Sequence, residues 1–159
     1  MELLLVDELC EFIEAATKDY LVVNEKGSQV PRVVNGYLPP KREDGKDDDN
    51  EPVILVRLLD GQDEFQAGQG IATANTIIAV RTASRDVKIG PQNTLNLMNR
   101  IRRCIYASPI LANRYRATFP VKWVAPEGTI PLWQGEMTIP WIVPMPQETW
   151  EVHEFADEK

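Results

Sequence analysis

Apolar residues recur at three- and four-residue steps between positions 3 and 17. Leu5, Val6, Leu9, Phe12, Ile13 and Ala16 share one side, while Glu8, Glu11 and Glu14 lie on others. That spacing predicts an amphipathic helix. The pattern then breaks from Gly27 to Pro52, where residues 30–34 predict a short strand, Asn35-Gly36 a turn and Pro39-Pro40 the start of a polar stretch. Residues 53–59 and 75–82 are rich in branched side chains and read as two strands of an antiparallel pair joined by a long Gly/Gln connection. Gly90-Pro91 allows a second helix to begin, with Asn93 as its cap and Leu95, Met98, Ile101 and Ile105 along its inner face. Ser108-Pro109 ends or kinks it. Farther on, Ala117, Phe119, Val121 and Trp123 alternate with polar residues or proline, as do Met137, Ile139 and Trp141 after a turn region at Pro126-Glu127-Gly128. Both runs predict strands with one apolar face, neighbouring and antiparallel.

This order gives an α+β fold: a mainly antiparallel or mixed sheet of four to five strands, with helices around 3–17 and 93–107 packed on it. At 159 residues one core suffices, so the expected organisation is a single domain over 1–146. An acidic C-terminal arm over 147–159 follows it. The run 41–50 reads as a solvated acidic loop. No apolar run approaches the roughly 20 residues of a membrane span. The N-terminus lacks the basic flank and cleavage site of an export signal. Cys10 and Cys104 are too few for a disulfide framework or a zinc site, and are expected to be reduced and buried.

The net charge of −7 conceals segregation along the chain. Residues 1–64 hold 16 acids against 7 bases, residues 81–122 hold 9 bases against Asp86 alone, and residues 123–159 hold 7 acids against Lys159. An acidic chain with pI near 4.8 is a poor binder of nucleic acid. Such blocks can pack beside one another within one subunit with their charges solvated; the sharper reading is a head-to-tail assembly, in which one surface of a subunit meets a different surface of the next.

Candidate chemistry is sparse. His153, the one histidine, lies in the acidic tail far from either cysteine. The acids of the 41–50 loop lack the spacing of a calcium loop. Gly68-Gln69-Gly70 precedes a strand where a phosphate cradle must open a helix. No catalytic residue, cofactor or metal ligand is expected; a small metal-dependent hydrolase is the alternative from another class. The four tryptophans cluster late in the chain. Trp123 and Trp141 continue apolar alternations and read as core, whereas Trp133 and Trp150 read as aromatic anchors of a protein interface.

The N-terminal helix, the run at 53–61, a strand ending in Arg81-Thr82, the helix around Asn96-Leu97-Met98-Asn99-Arg100-Ile101-Arg102 and the close at 133–141 together resemble the tail terminator family of long-tailed phages and prophages, the minor tail protein U-like proteins. The resemblance spans residues 50–145. It implies a structural protein of the virion tail, present in host cytoplasm during assembly, that forms a ring, commonly a hexamer. That ring caps the tail tube, ends its polymerisation and provides the head-joining surface. Implied partners are further copies of the chain, the tail tube protein and head–tail connector proteins, with DNA passing through unbound and no membrane. Another neck or connector component is the alternative within this class. On this reading Arg100, Arg103, Arg114, Arg116, Trp133 and Trp150 are candidate subunit-interface residues. Glu43, Asp44, Asp47, Asp48 and Asp49 are candidates for the lumen or rim.

Overall fold

The computed structural model describes residues 2–38 and 52–146. Helix α1 (Glu2–Thr17) buries Leu5, Leu9 and Ile13 completely and ends where the buried Thr17 hydroxyl donates to the Ile13 carbonyl. A small hairpin of β1 (Val22–Asn24) and β2 (Gly27–Gln29) follows, then β3 (Arg32–Asn35), β4 (Val53–Gln66) and β5 (Gln69–Ala83). Helix α2 (Ile89–Ala107) leads into β6 (Ile110–Leu111), β7 (Tyr115–Ala117), β8 (Lys122–Thr129) and β9 (Leu132–Val143).

The main sheet has seven strands among the described residues, in the order β3-β4-β5-β9-β7-β6, with β8 also paired to β9. It is mixed, because β3 runs parallel to β4 while the remaining pairs are antiparallel. The expected α+β architecture holds, and the strand count exceeds the expected four to five. The excess comes from β6, a two-residue piece in which a period of two has no room to show, and from the division of the run expected over 117–123 into β7 and β8.

Alternation sets the core. Even-numbered residues of β5 and odd-numbered residues of β9 face the helices, so Ala72, Ala74, Ile78 and Val80 join Met137, Ile139, Trp141 and Val143 against α1 and α2. Val53, Leu55 and Ala79 form a smaller cluster on the reverse face with Val34 and Leu38. The indole N–H of buried Trp141 donates to Thr76 Oγ1 at 3.0 Å, which satisfies a polar group in the middle of the core.

Several local expectations are corrected. Instead of a long connection, β4 and β5 share a two-residue turn, Ala67-Gly68, with φ of 52° and 77°, as a tight primed hairpin turn requires. Asn93 does not cap α2: the helix begins earlier, Asp86 Oδ1 accepts from the N–H groups of Lys88 and Ile89, and Asn93 Nδ2 donates to the Val23 carbonyl. With that earlier start the buried stripe of α2 runs through Gly90, Thr94, Leu97, Met98, Ile101 and Ile105, leaving Leu95 partly exposed. The strand expected over 117–123 divides into β7 and the start of β8, and Pro120, which has no N–H to donate, lies in the gap. Pro126-Glu127-Gly128 belongs to β8 at an irregularity between Val124 and Glu127, and the chain turns at Ile130-Pro131. Cys10 and Cys104 are half-buried rather than buried. The loop 41–50 and the arm 147–159 lie outside the described residues.

Candidate subunit interface

Two lateral sides of the sheet differ in chemistry. On one side, the outward face of α2 meets the start of β8. The Arg102 guanidinium lies over the Trp123 ring, 5.0 Å from its centroid, and also donates to Asn99 Oδ1, while its Nε is buried without a partner among the described residues. One turn on, the Tyr106 ring packs at 5.4 Å and 44° on Phe119 from the segment between β7 and β8. Asn99, Arg102, Arg103 and Tyr106 line a shallow depression between them. This is a cationic surface with aromatic walls: Tyr106, Phe119 and Trp123 are each at least 40% exposed. The close seat of α2 on β9 holds it in place. At Gly135 an added Cβ would fall 2.4 Å from Met98 Sδ, and at Gly90 it would fall 2.1 Å from Trp133 Nε1.

On the other side, β4 and β5 form a hairpin longer than the strands beside it. The last β5–β9 pair is Ala72–Val143, and β3 accompanies β4 only over Val53, Ile54, Leu55 and Val56. The hairpin carries Asp60, Asp63 and Glu64 and, over residues 60–71, no base, and from the Glu64–Ile71 pair outward it is a two-stranded arm. Phe65 on this arm is 77% exposed.

Each sequence-derived candidate among the described residues has a definite place. Arg103 is exposed on the α2 surface beside Arg102 and Tyr106. Arg100 is spent inside the subunit, donating from Nε to the Ala16 carbonyl at the end of α1. Arg114 stacks over the Tyr115 ring at 5.7 Å, and Arg116 is an exposed residue of β7. The two described tryptophans in question exchange roles. Trp133, expected as an exposed anchor, is a core residue only 9% exposed, with Nε1 donating to the Ser84 carbonyl at 2.9 Å. Trp123, expected in the core, is 46% exposed at the rim of the sheet. The period of two running back from Met137 through Gly135 reaches Trp133 and was the available signal; Gly135 masks it because glycine carries no apolar side chain. Trp150 and the acids Glu43, Asp44, Asp47, Asp48 and Asp49 lie outside the described residues.

A second depression, lined by Val23, Asn24, Glu25, Arg85, Asp86 and Ile89, is a structural junction. Glu25 accepts from the Arg85 N–H at 2.6 Å and the Ser84 hydroxyl at 3.0 Å, tying the small hairpin to the turn before α2. The Arg85 N–H bond holds the Glu25 carboxyl below its ordinary pKa, and the Ile89 and Lys88 N–H groups do the same for Asp86. Burial, with Asp7 and Glu14 nearby, pushes the Cys10 thiol up to about 11, the opposite of what a nucleophilic thiolate needs. Among the described residues no group of three His, Cys, Asp or Glu side chains is placed to hold a metal ion. No helix among them is long and apolar enough to cross a membrane.

No family model and no curated protein matches the chain. Among solved structures, it is similar to a chain of the "Virion of native gene transfer agent (GTA) particle" at 13% identity. The match covers 70% of this chain and 77% of that one, with a TM-score of 0.41. A likeness of that size says nothing about role.

Proposed function

We propose that this chain is a non-enzymatic structural protein of a phage-like virion tail, and that it acts as a tail terminator: a head-to-tail ring, hexameric in the commonest form, that caps the tail tube and receives the head. The observation that carries the reading is the unlike chemistry of the two lateral sides, cationic and aromatic at α2–β8, acidic at the β4–β5 arm. An isologous dimer needs one self-complementary patch, whereas a closed ring needs two different patches that complement each other. The sequence resemblance to tail terminators supplies the role for such a ring. Its partners on this reading are its own copies, the tail tube protein and the head–tail connector, with DNA passing through without specific binding. The acidic net charge favours passage over capture.

The test is native mass spectrometry of the purified chain, followed by its addition to elongating tail tubes. Closed oligomers of one defined number, together with tubes that stop growing when the protein is added, are the expected results. A strict monomer, or tubes whose length distribution does not change, would overturn the proposal.

A further inference from the structure

We propose that the tip of the β4–β5 arm is the element that joins neighbouring subunits, with Phe65 seated against the Tyr106, Phe119 and Trp123 rings of the next copy and Asp63 beside its Arg103. This rests on the head-to-tail reading above and names the contact within it.

The argument begins with a register shift. Upstream of it, Ile54, Val56 and Leu58 pair with Val80, Ile78 and Thr76, so even-numbered residues of β4 face the helices. Leu59 is an extra residue, after which Asp60 pairs with Asn75, and the parity reverses. Asp63 now lies opposite Ala72 and Phe65 opposite Gly70, so both share the helix side of the sheet. Without the bulge, Phe65 and Asp63 would face the reverse side. Where subunits meet by the lateral sides of their sheets, a rotation about one ring axis sets helix layer beside helix layer, and this face of the arm then meets the neighbour's α2–β8 surface. Phe65 lies across from Gly70, over which the Met145 side chain sits, and its ring stays 77% exposed and available to a partner.

Charge agrees. Asp63 is the acid that shares the face of Phe65, with Asp60 and Glu64 on the reverse side and no base over residues 60–71, and the surface offered to it holds Arg102 and Arg103. Aromatic and arginine side chains concentrated in one place are the composition of interface anchors. Docking by side chains is favoured over pairing of open strand edges. The β4 edge is interrupted by the Leu59 bulge and carries Asp60, Asp63 and Glu64, while β8 contains Pro126 and its own irregularity. Those are the devices by which edges resist strand addition.

The experiment uses two full-length double variants. The arm variant carries Phe65→Ser and Asp63→Lys; the surface variant carries Phe119→Ser and Arg103→Glu. All four positions are exposed, so both should fold, as circular dichroism would verify. Each variant alone should lose assembly in native mass spectrometry, with the subunit contact weakened at least about 30-fold, the effect of removing an interface anchor. Mixed in equal amounts, the two should form a heterodimer and nothing larger, because one intact contact remains and the chain of contacts cannot close. The inference is overturned if either variant assembles like the parent, or if the mixture stays monomeric. If the parent forms open chains that the arm variant abolishes, the contact stands and the ring reading falls. If the parent forms closed rings that the arm variant leaves intact, the ring stands and the contact falls.

Discussion

Replacing Gly90 with alanine tests how the outward face of α2 is positioned. Gly90 is buried in the first turn of that helix. A methyl group there would sit 2.1 Å from Trp133 Nε1, 2.4 Å from Cδ1 and 2.8 Å from Cε2. The indole is rigid, nearly buried and held by its hydrogen bond to the Ser84 carbonyl at 2.9 Å, so it cannot yield as the end of a flexible side chain would. Overpacking of this kind costs about 1–3 kcal/mol, and losing the buried indole hydrogen bond adds about 1–3 kcal/mol. Alanine's better helix propensity returns at most about 1 kcal/mol. The net expectation is a loss of about 2–4 kcal/mol. Urea unfolding followed by tryptophan fluorescence measures it. Gly135→Ala is the companion, since its nearest obstacles are the sulfur and methyl of Met98, which can move, and it should cost less. A Gly90→Ala protein within about 0.5 kcal/mol of the parent, inside the range of ordinary surface changes, would refute the account of α2 as pinned through Trp133.

Thr76→Val should destabilise by about 1–3 kcal/mol, because it leaves the buried Trp141 N–H without its acceptor; an unchanged denaturation midpoint would show that the bond contributes nothing. Ala67→Asn should stabilise, since asparagine tolerates the left-handed conformation that alanine holds at φ 52°, and a gain of about 0.5–1 kcal/mol would raise the melting temperature by a degree or more. Glu25 and Asp86 have lowered folded-state pKa values, so their contribution is complete above the ordinary carboxylate range and is lost as pH falls through the lowered values. Amide exchange at Arg85, Lys88 and Ile89 should therefore stay slow from pH 7 to 5 and speed up below about pH 4 after correction for intrinsic rates; protection unchanged to pH 2 would contradict it.

Elements that bury a repeating face could be read from the sequence, and those that do not could not. The stripe of α1 and the alternation at Met137, Ile139 and Trp141 each commit a period to the core, and both elements stand where that period places them. Residues 61–70 read as a Gly/Gln connection because this end of the hairpin, which runs out beyond β9, has no apolar face to repeat. Its turn is equally silent in the sequence, since Ala67-Gly68 lacks the asparagine or aspartate that marks such turns. At the candidate interface, the arginines off the α2 stripe were visible as surface residues. Trp123 and Phe119 were assigned to a core by an alternation that the chain interrupts at Pro120. Phe65 gives no signal in the sequence, because an isolated aromatic among polar residues has no pattern of its own.

The segregated charge seen in the sequence overstates what a neighbouring subunit would meet. Of the basic block, Arg100 is committed to the Ala16 carbonyl and Arg102 to Trp123 and Asn99, while Arg103, Arg116 and Lys122 stand exposed. An ion pair at an interface rim contributes only about 0–1 kcal/mol, so a few such pairs cannot hold a ring together. They can bias the approach of two subunits, because steering acts over the roughly 8 Å screening length at physiological ionic strength before contact is made. The lifetime of the contact must then come from apolar burial, for which this surface supplies Tyr106, Phe119 and Trp123 and the arm supplies Phe65. Added salt should act mainly on the rate at which subunits associate, and truncation of Phe65 mainly on the rate at which they part. This division follows from where the charges and rings sit on the two sides of the sheet, and it does not depend on the number of subunits in the ring.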